Sequence, residues 1–126
     1  METSLESVIT RWHASVNSGD LTRAAEVVGD PLIVLGPKGA GPIRPDQFAQ
    51  WVERSQIRLD PVVWHPISAR LMVVEEEARW PQDTAATRVA TVFRIVNEKV
   101  TAALRLPDVE AALELAYICR EMAATE

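Results

Sequence analysis

Apolar residues recur along the chain at two periods, and the change from one to the other divides it. Leu5, Val8, Ile9, Trp12 and Val16 fall at i, i+3, i+4, i+7 and i+11, one apolar stripe of an α-helix. Ser4 stands before the stripe as an N-cap, and Gly19 follows it as a stop. Asp20 caps a second, short helix carrying Leu21, Ala24, Ala25, Val27 and Val28. Gly29-Asp30-Pro31 ends that helix, because proline disfavours helix in the residue before it. Residues 32–35 read as a short buried strand, and "GPKGAGP" as a turn-rich hairpin loop. Pro45 and Asp46 suit the first turn of a third helix, with Phe48, Trp51, Val52 and Ile57 on or near one face.

Past Asp60-Pro61 the period shortens to two. Residues 62–68, 71–80, 87–96 and 100–106 read as strands. Asn97 to Lys99 is a tight hairpin turn, and "PQDTA" a looser one. A strongly apolar helix follows the N-cap Asp108 and runs to about Met122. Three helices enclosing an early hairpin, then antiparallel strands, then a terminal helix make an α+β chain rather than a βαβ one.

Composition narrows the function classes. The chain has 126 residues, which suits a single domain over 1–126 with one core. A net charge of −5 argues against nucleic acid, whose affinity depends on Lys and Arg meeting phosphate. A single cysteine, Cys119, allows no internal disulfide, and the first residues lack a basic and apolar leader. A cytoplasmic protein without a membrane span is expected. Two histidines without spaced partners make a weak metal site, and no glycine-rich phosphate motif precedes a helix. No metal or cofactor is expected.

"VNSGDLTRAAEVVGDPLIVLGP" resembles the opening of the nuclear-transport-factor-2-like superfamily, with its long helix, "GD" break, short helix and acidic turn into the first strand. "RPDQFAQW" is similar to the helix after that family's first hairpin, and "VFRIVNEKVTAALRLPDVEAAL" to its closing segment, with Asn97-Glu98-Lys99 in place of a commoner Asp-Gly-Lys. The resemblance spans roughly residues 5 to 118 and points to the SnoaL-like, polyketide-cyclase-like branch. It implies a cystatin-like cone: a curved, mainly antiparallel sheet wrapped around the three N-terminal helices, with a pocket at its open end and a C-terminal helix. The superfamily hosts isomerases, dehydratases, cyclases, epoxide hydrolases and non-catalytic adaptors, so the fold alone leaves the reaction undecided. By correspondence, the ketosteroid isomerase's oxyanion-hole Tyr, general-base Asp and second acid fall at Trp12, Gly36 and Thr91. An indole is no phenolic acid and glycine has no side chain, so that chemistry is rejected.

Few residues remain to carry chemistry. His13 lies about 80° round its helix from the stripe centre, at the core boundary, either packed or lining the pocket. His65 precedes Pro66 and is expected in extended backbone near a strand irregularity, with the same two readings. Cys119 reads as a buried, inert thiol. Trp12, Trp51, Trp64 and Trp80 read as core and pocket wall, which favours an apolar or aromatic small molecule.

"LMVVEEEARW" is the most informative stretch. Its alternation puts Glu76 alone among Met72, Val74, Ala78 and Trp80. A carboxylate there is either paired with Arg88 or Arg94, or is a pocket acid, base or anchor. If Trp80 sits opposite Ala85, Glu76 faces Val89 and shares the pocket side with Thr87, Thr91 and Phe93; a slip of one residue reverses this. Residues 87–96 are apolar on both faces, so an isologous homodimer through the outer sheet face is expected. The leading expectation is a small-molecule pocket protein with metal-free acid/base chemistry. Its competitor is a non-catalytic binding or assembly module whose cone is filled by side chains.

Overall fold

The computed structural model describes residues 4–36 and 39–124. Helix α1 (Leu5–Ser18) turns its stripe inward, burying Val8, Ile9, Trp12 and Val16. Ser4 Oγ accepts from the Ser7 amide at 3.1 Å, and Gly19, at φ 70°, stops the helix in the left-handed region that glycine enters without a Cβ clash. Asp20 caps α2 (Leu21–Val27) by accepting from the Arg23 amide at 3.1 Å. Strand β1 (Val28–Gly36) begins at once and includes Gly29-Asp30-Pro31, read from sequence as a loop; the Asp30–Pro31 peptide is cis. Val28 already pairs with Val100, so sheet pairing claims the residues that local rules assign to a helix end. β1 folds back into β2 (Gly39–Ile43); the hairpin tip, Pro37-Lys38, lies outside the described residues. Helix α3 (Pro45–Ser55) starts on Pro45, as expected.

Four strands and a helix complete the chain: β3 (Arg58–Pro66), β4 (Leu71–Arg79), β5 (Thr87–Val96), β6 (Lys99–Leu106) and α4 (Val109–Ala124). The six strands form one sheet in the order β2-β1-β6-β5-β4-β3, antiparallel except for the β1–β6 pair. Asn97 and Glu98 make the β5–β6 turn with φ of 52° and 62°, the backbone twist that suits a two-residue hairpin.

The sheet has a core on each face. On the inner face, α1, α2 and α3 pack Ile9, Trp12, Phe48 and Val52 against Val74, Phe93 and Val100. On the outer face, Ala112 and Ala116 of α4 close over Val73, Ala90 and Val92. The outer face of β4 and β5 is thus packed against the chain's own terminal helix rather than left bare. Cys119 packs at the edge of this outer core. No helix among the described residues is long and apolar enough to cross a membrane.

Two interruptions in the ladder decide which side chains enter the cone. Between β3 and β4 the pairing slips at Val62, from Pro61–Glu76 to Val63–Glu75. Between β5 and β6 it slips at Thr101, from Ile95–Val100 to Arg94–Ala102. Each inserts one residue and so exchanges the faces of everything beyond it. The β4–β5 ladder runs unbroken from Leu71–Arg94 to Ala78–Thr87, with Val74 opposite Thr91 and Glu76 opposite Val89. That is the register in which Glu76 points inward.

Candidate functional site

Glu76 is fully buried on the inner face. A carboxyl taken out of water is costly unless each oxygen finds a partner. Both do. Thr91 Oγ1 donates to Oε1 at 2.5 Å, and Oε2 meets His13 Nε2 in a hydrogen bond. Neither Arg88 nor Arg94 is the partner: both lie on the outer side, and Arg88 pairs with Glu75 and Glu77 instead.

The three residues come from three elements, each placed for a local reason. The apolar stripe of α1 drives that helix against the sheet, and His13 follows the buried Trp12 at its edge. Strand alternation sets Glu76 and Thr91 on one face, and the unbroken β4–β5 register brings them side by side. His13 Nδ1 lies 2.9 Å from the Ile9 carbonyl oxygen. A carbonyl only accepts, so Nδ1 carries a hydrogen. The contact between Nε2 and Oε2 then contains one proton, on nitrogen or on oxygen, because two lone pairs would repel. In either arrangement the pair has no net charge. Aromatic rings surround it: Trp12, Trp64 and Phe93 stand edge-on to the imidazole with centroids 4.9, 6.3 and 5.5 Å away. Trp12 Nε1 is buried without a hydrogen-bond partner among the described residues, an unused donor in the same interior.

A mouth of about 430 Å³ is walled by Leu35, Trp80, Thr87, Val89, Arg105 and Leu106. Arg105 faces Thr91 across the β5–β6 ladder, and its guanidinium carbon sits 5.5 Å from the centre of the Trp80 ring. Burial pulls the Arg105 pKa below its ordinary value, opposed by the nearby Glu76 carboxylate. A second groove, of about 420 Å³, lies near the α1–α2 junction beside Gly19, Val52 and Gln56, away from these groups.

The residues singled out in the sequence separate into two sets. His13, Glu76, Thr91, Trp12, Trp64 and Phe93 converge in the interior, while Trp80 and Thr87 line the mouth. Trp51 stacks on Phe48, which stacks in turn on Trp12. His65 is the exception and corrects the expectation. The Val62 insertion turns Trp64 inward and His65 outward, where Nε2 of His65 lies 2.7 Å from Glu75 Oε2. It therefore cannot share a site with Glu76. Arg105 was missed. A plain two-residue hairpin count would place Leu104, not Arg105, opposite Thr91; only the extra residue at Thr101 aims Arg105 inward. Among the described residues, no three His, Cys, Asp or Glu side chains converge as metal ligands.

No family model and no curated protein matches this sequence. Solved structures do. An NTF2-like protein of unknown function from Cytophaga hutchinsonii superposes with a TM-score of 0.75 at 7% identity, over 90% of this chain and 97% of that one. A protein with a ketosteroid isomerase-like fold from Catenulispora acidiphila, in complex with trimethylamine, gives 0.66 at 13% identity, over 89% and 92%. The epoxide hydrolase/cyclase-like enzyme SalBIII, of pyran ring formation in salinomycin, gives 0.65 at 15% identity, over 80% and 88%. The chain has the nuclear-transport-factor-2-like, cystatin-like α+β fold.

Proposed function

We propose that this chain is a small-molecule pocket protein in which Glu76 and His13 act as a coupled acid/base pair on an apolar or aromatic ligand entering between Trp80 and Arg105. The observation that carries the reading is the buried contact of His13 Nε2 with Glu76 Oε2, while Thr91 and the Ile9 carbonyl hold their other atoms. Such a pair can take a proton from a ligand carbon as the ligand becomes an enolate and then return it, so pair and ligand together keep the same charge in a low-dielectric interior. The aromatic walls supply the apolar surround, and Trp12 Nε1 is free to donate to a ligand oxygen. The likeness to a cyclase-like enzyme and to a small-molecule complex supports this reading at the level of fold.

One observation favours a second reading, a binding module with no reaction. Neither His13 nor Glu76 is among the residues lining the mouth, and rings of Trp12, Trp64 and Phe93 stand around them. Proton transfer to and from carbon separates the two. A set of aromatic ketones such as 2-tetralone, incubated in heavy water, should exchange the hydrogens beside the carbonyl faster with protein than with buffer. The proton leaves carbon for the pair, and deuterium returns to carbon from it. Glu76→Gln should abolish the gain, since an amide is no base. If wild-type protein exchanges no ketone in the set faster than buffer does, the acid/base role is wrong and the binding module stands.

A further inference from the structure

Among the described residues, the ionisable side chains His13, Glu76 and Arg105 occupy or border the interior. The first two share one proton and cancel. Arg105 does not cancel. Arginine keeps its proton under physiological conditions. No described carboxylate lies within ion-pair distance of it; Glu76 acts on it only through space from the interior, and its guanidinium carbon stands 5.5 Å from the centre of the Trp80 ring. An acidic chain has thus left a single positive charge, half-buried, in the wall of an otherwise uncharged mouth.

We infer that the mouth recognises a ligand carrying a carboxylate, with the Arg105 guanidinium receiving the carboxylate and Trp80 receiving the apolar body beside it. This rests on the pocket reading above and names its ligand class. A guanidinium beside an indole, with no ion-pair partner, has N–H donors that match the two oxygens of a carboxylate. On the β1 side the guanidinium borders Gly36, where a Cβ would come into ordinary contact with its terminal nitrogen at 3.9 Å. Partial burial strips water from the guanidinium and depresses its pKa, so an anion gains more there than at an exposed arginine. A single guanidinium, with no second cation among the described lining residues, fits a monoanion better than a phosphate dianion. Thr87, also in the wall, offers the ligand one hydroxyl.

The test is a matched pair of probes, 2-naphthoate and its neutral amide, 2-naphthamide, titrated into the whole chain and followed by the Arg105 side-chain and Trp80 indole NMR signals. The acid should bind about tenfold more tightly than the amide, the scale of one charge-assisted hydrogen bond. Added salt should weaken the acid and leave the amide unchanged. Arg105→Gln should bring the acid down to the affinity of the amide. Arg105→Lys, which keeps the charge but loses the fork, should fall between; it also guards against a Gln variant that fails to fold. Equal affinities of acid and amide, or an acid affinity untouched by Arg105→Gln, would overturn the carboxylate inference and leave the pocket reading in place. If neither probe moves the mouth signals, the inference and the pocket reading fall together.

Discussion

Neighbouring residues of β4 carry the same pairing on opposite faces of one sheet. Glu76 meets His13 inside the cone, with Thr91 on its second oxygen. Glu75 meets His65 outside, with Arg88 3.4 Å from its second oxygen. The chemistry is alike and the setting is not. The His65 and Arg88 side chains keep 31% and 49% exposure, so water screens that pair and takes the place of any partner removed. The inner pair has no such substitute. Every partner of Glu76 is a named atom, and the loss of one leaves a buried polar group unmatched. An outer cluster of this kind tunes a surface. The inner one is costly to fold around, which is a reason to look for a function in it.

Mutations can break the contrast in a defined order. Chemical denaturation measures each loss. Glu76→Ala leaves both His13 and Thr91 without their acceptor and should cost about 3 kcal/mol. Glu76→Gln can still accept from Thr91 and donate to Nε2, and should recover about 2 kcal/mol of that. Thr91→Val deprives Oε1 of its donor and should cost about 1 to 2 kcal/mol. The matching outer change, Glu75→Ala, should cost less than about 1 kcal/mol. A Glu75→Ala loss equal to that of Glu76→Ala would erase the distinction between the faces.

The same two faces show how far the sequence could be read. Helix α1, the Asp20 cap and the β4–β5 hairpin follow from local spacing; Glu76 turns inward in one of the two registers that spacing allowed, and no residue is inserted between it and Thr91. Alternation is a count, and it holds while the count is unbroken. His65 and Arg105 both lie beyond an insertion, at Val62 and Thr101, and the count assigns each to the wrong face. Pro61 was a signal for the first, since proline inside a strand often marks a bulge. Nothing in "NEKVTAALRL" marks the second. The cover on the outer face was also hidden: the apolar surface of β5 was legible, but its pairing with Ala112 and Ala116 of α4 is a tertiary choice. Val28 to Pro31 shows the reverse case, where a correct local stop signal became the start of a strand once Val100 offered a partner.

Nitrogen-15 NMR of histidine-labelled protein tests the central claim most directly, since it reads which ring nitrogen of His13 bears hydrogen and what the other meets. The account predicts a hydrogen fixed on Nδ1, donated to Ile9, and an Nε2 signal that moves when Glu76 becomes Gln but stays still when Glu75 becomes Gln. The His65 signals should do the opposite. A bare Nδ1, or an Nε2 signal of His13 indifferent to Glu76→Gln, would contradict the shared proton and with it the acid/base pair.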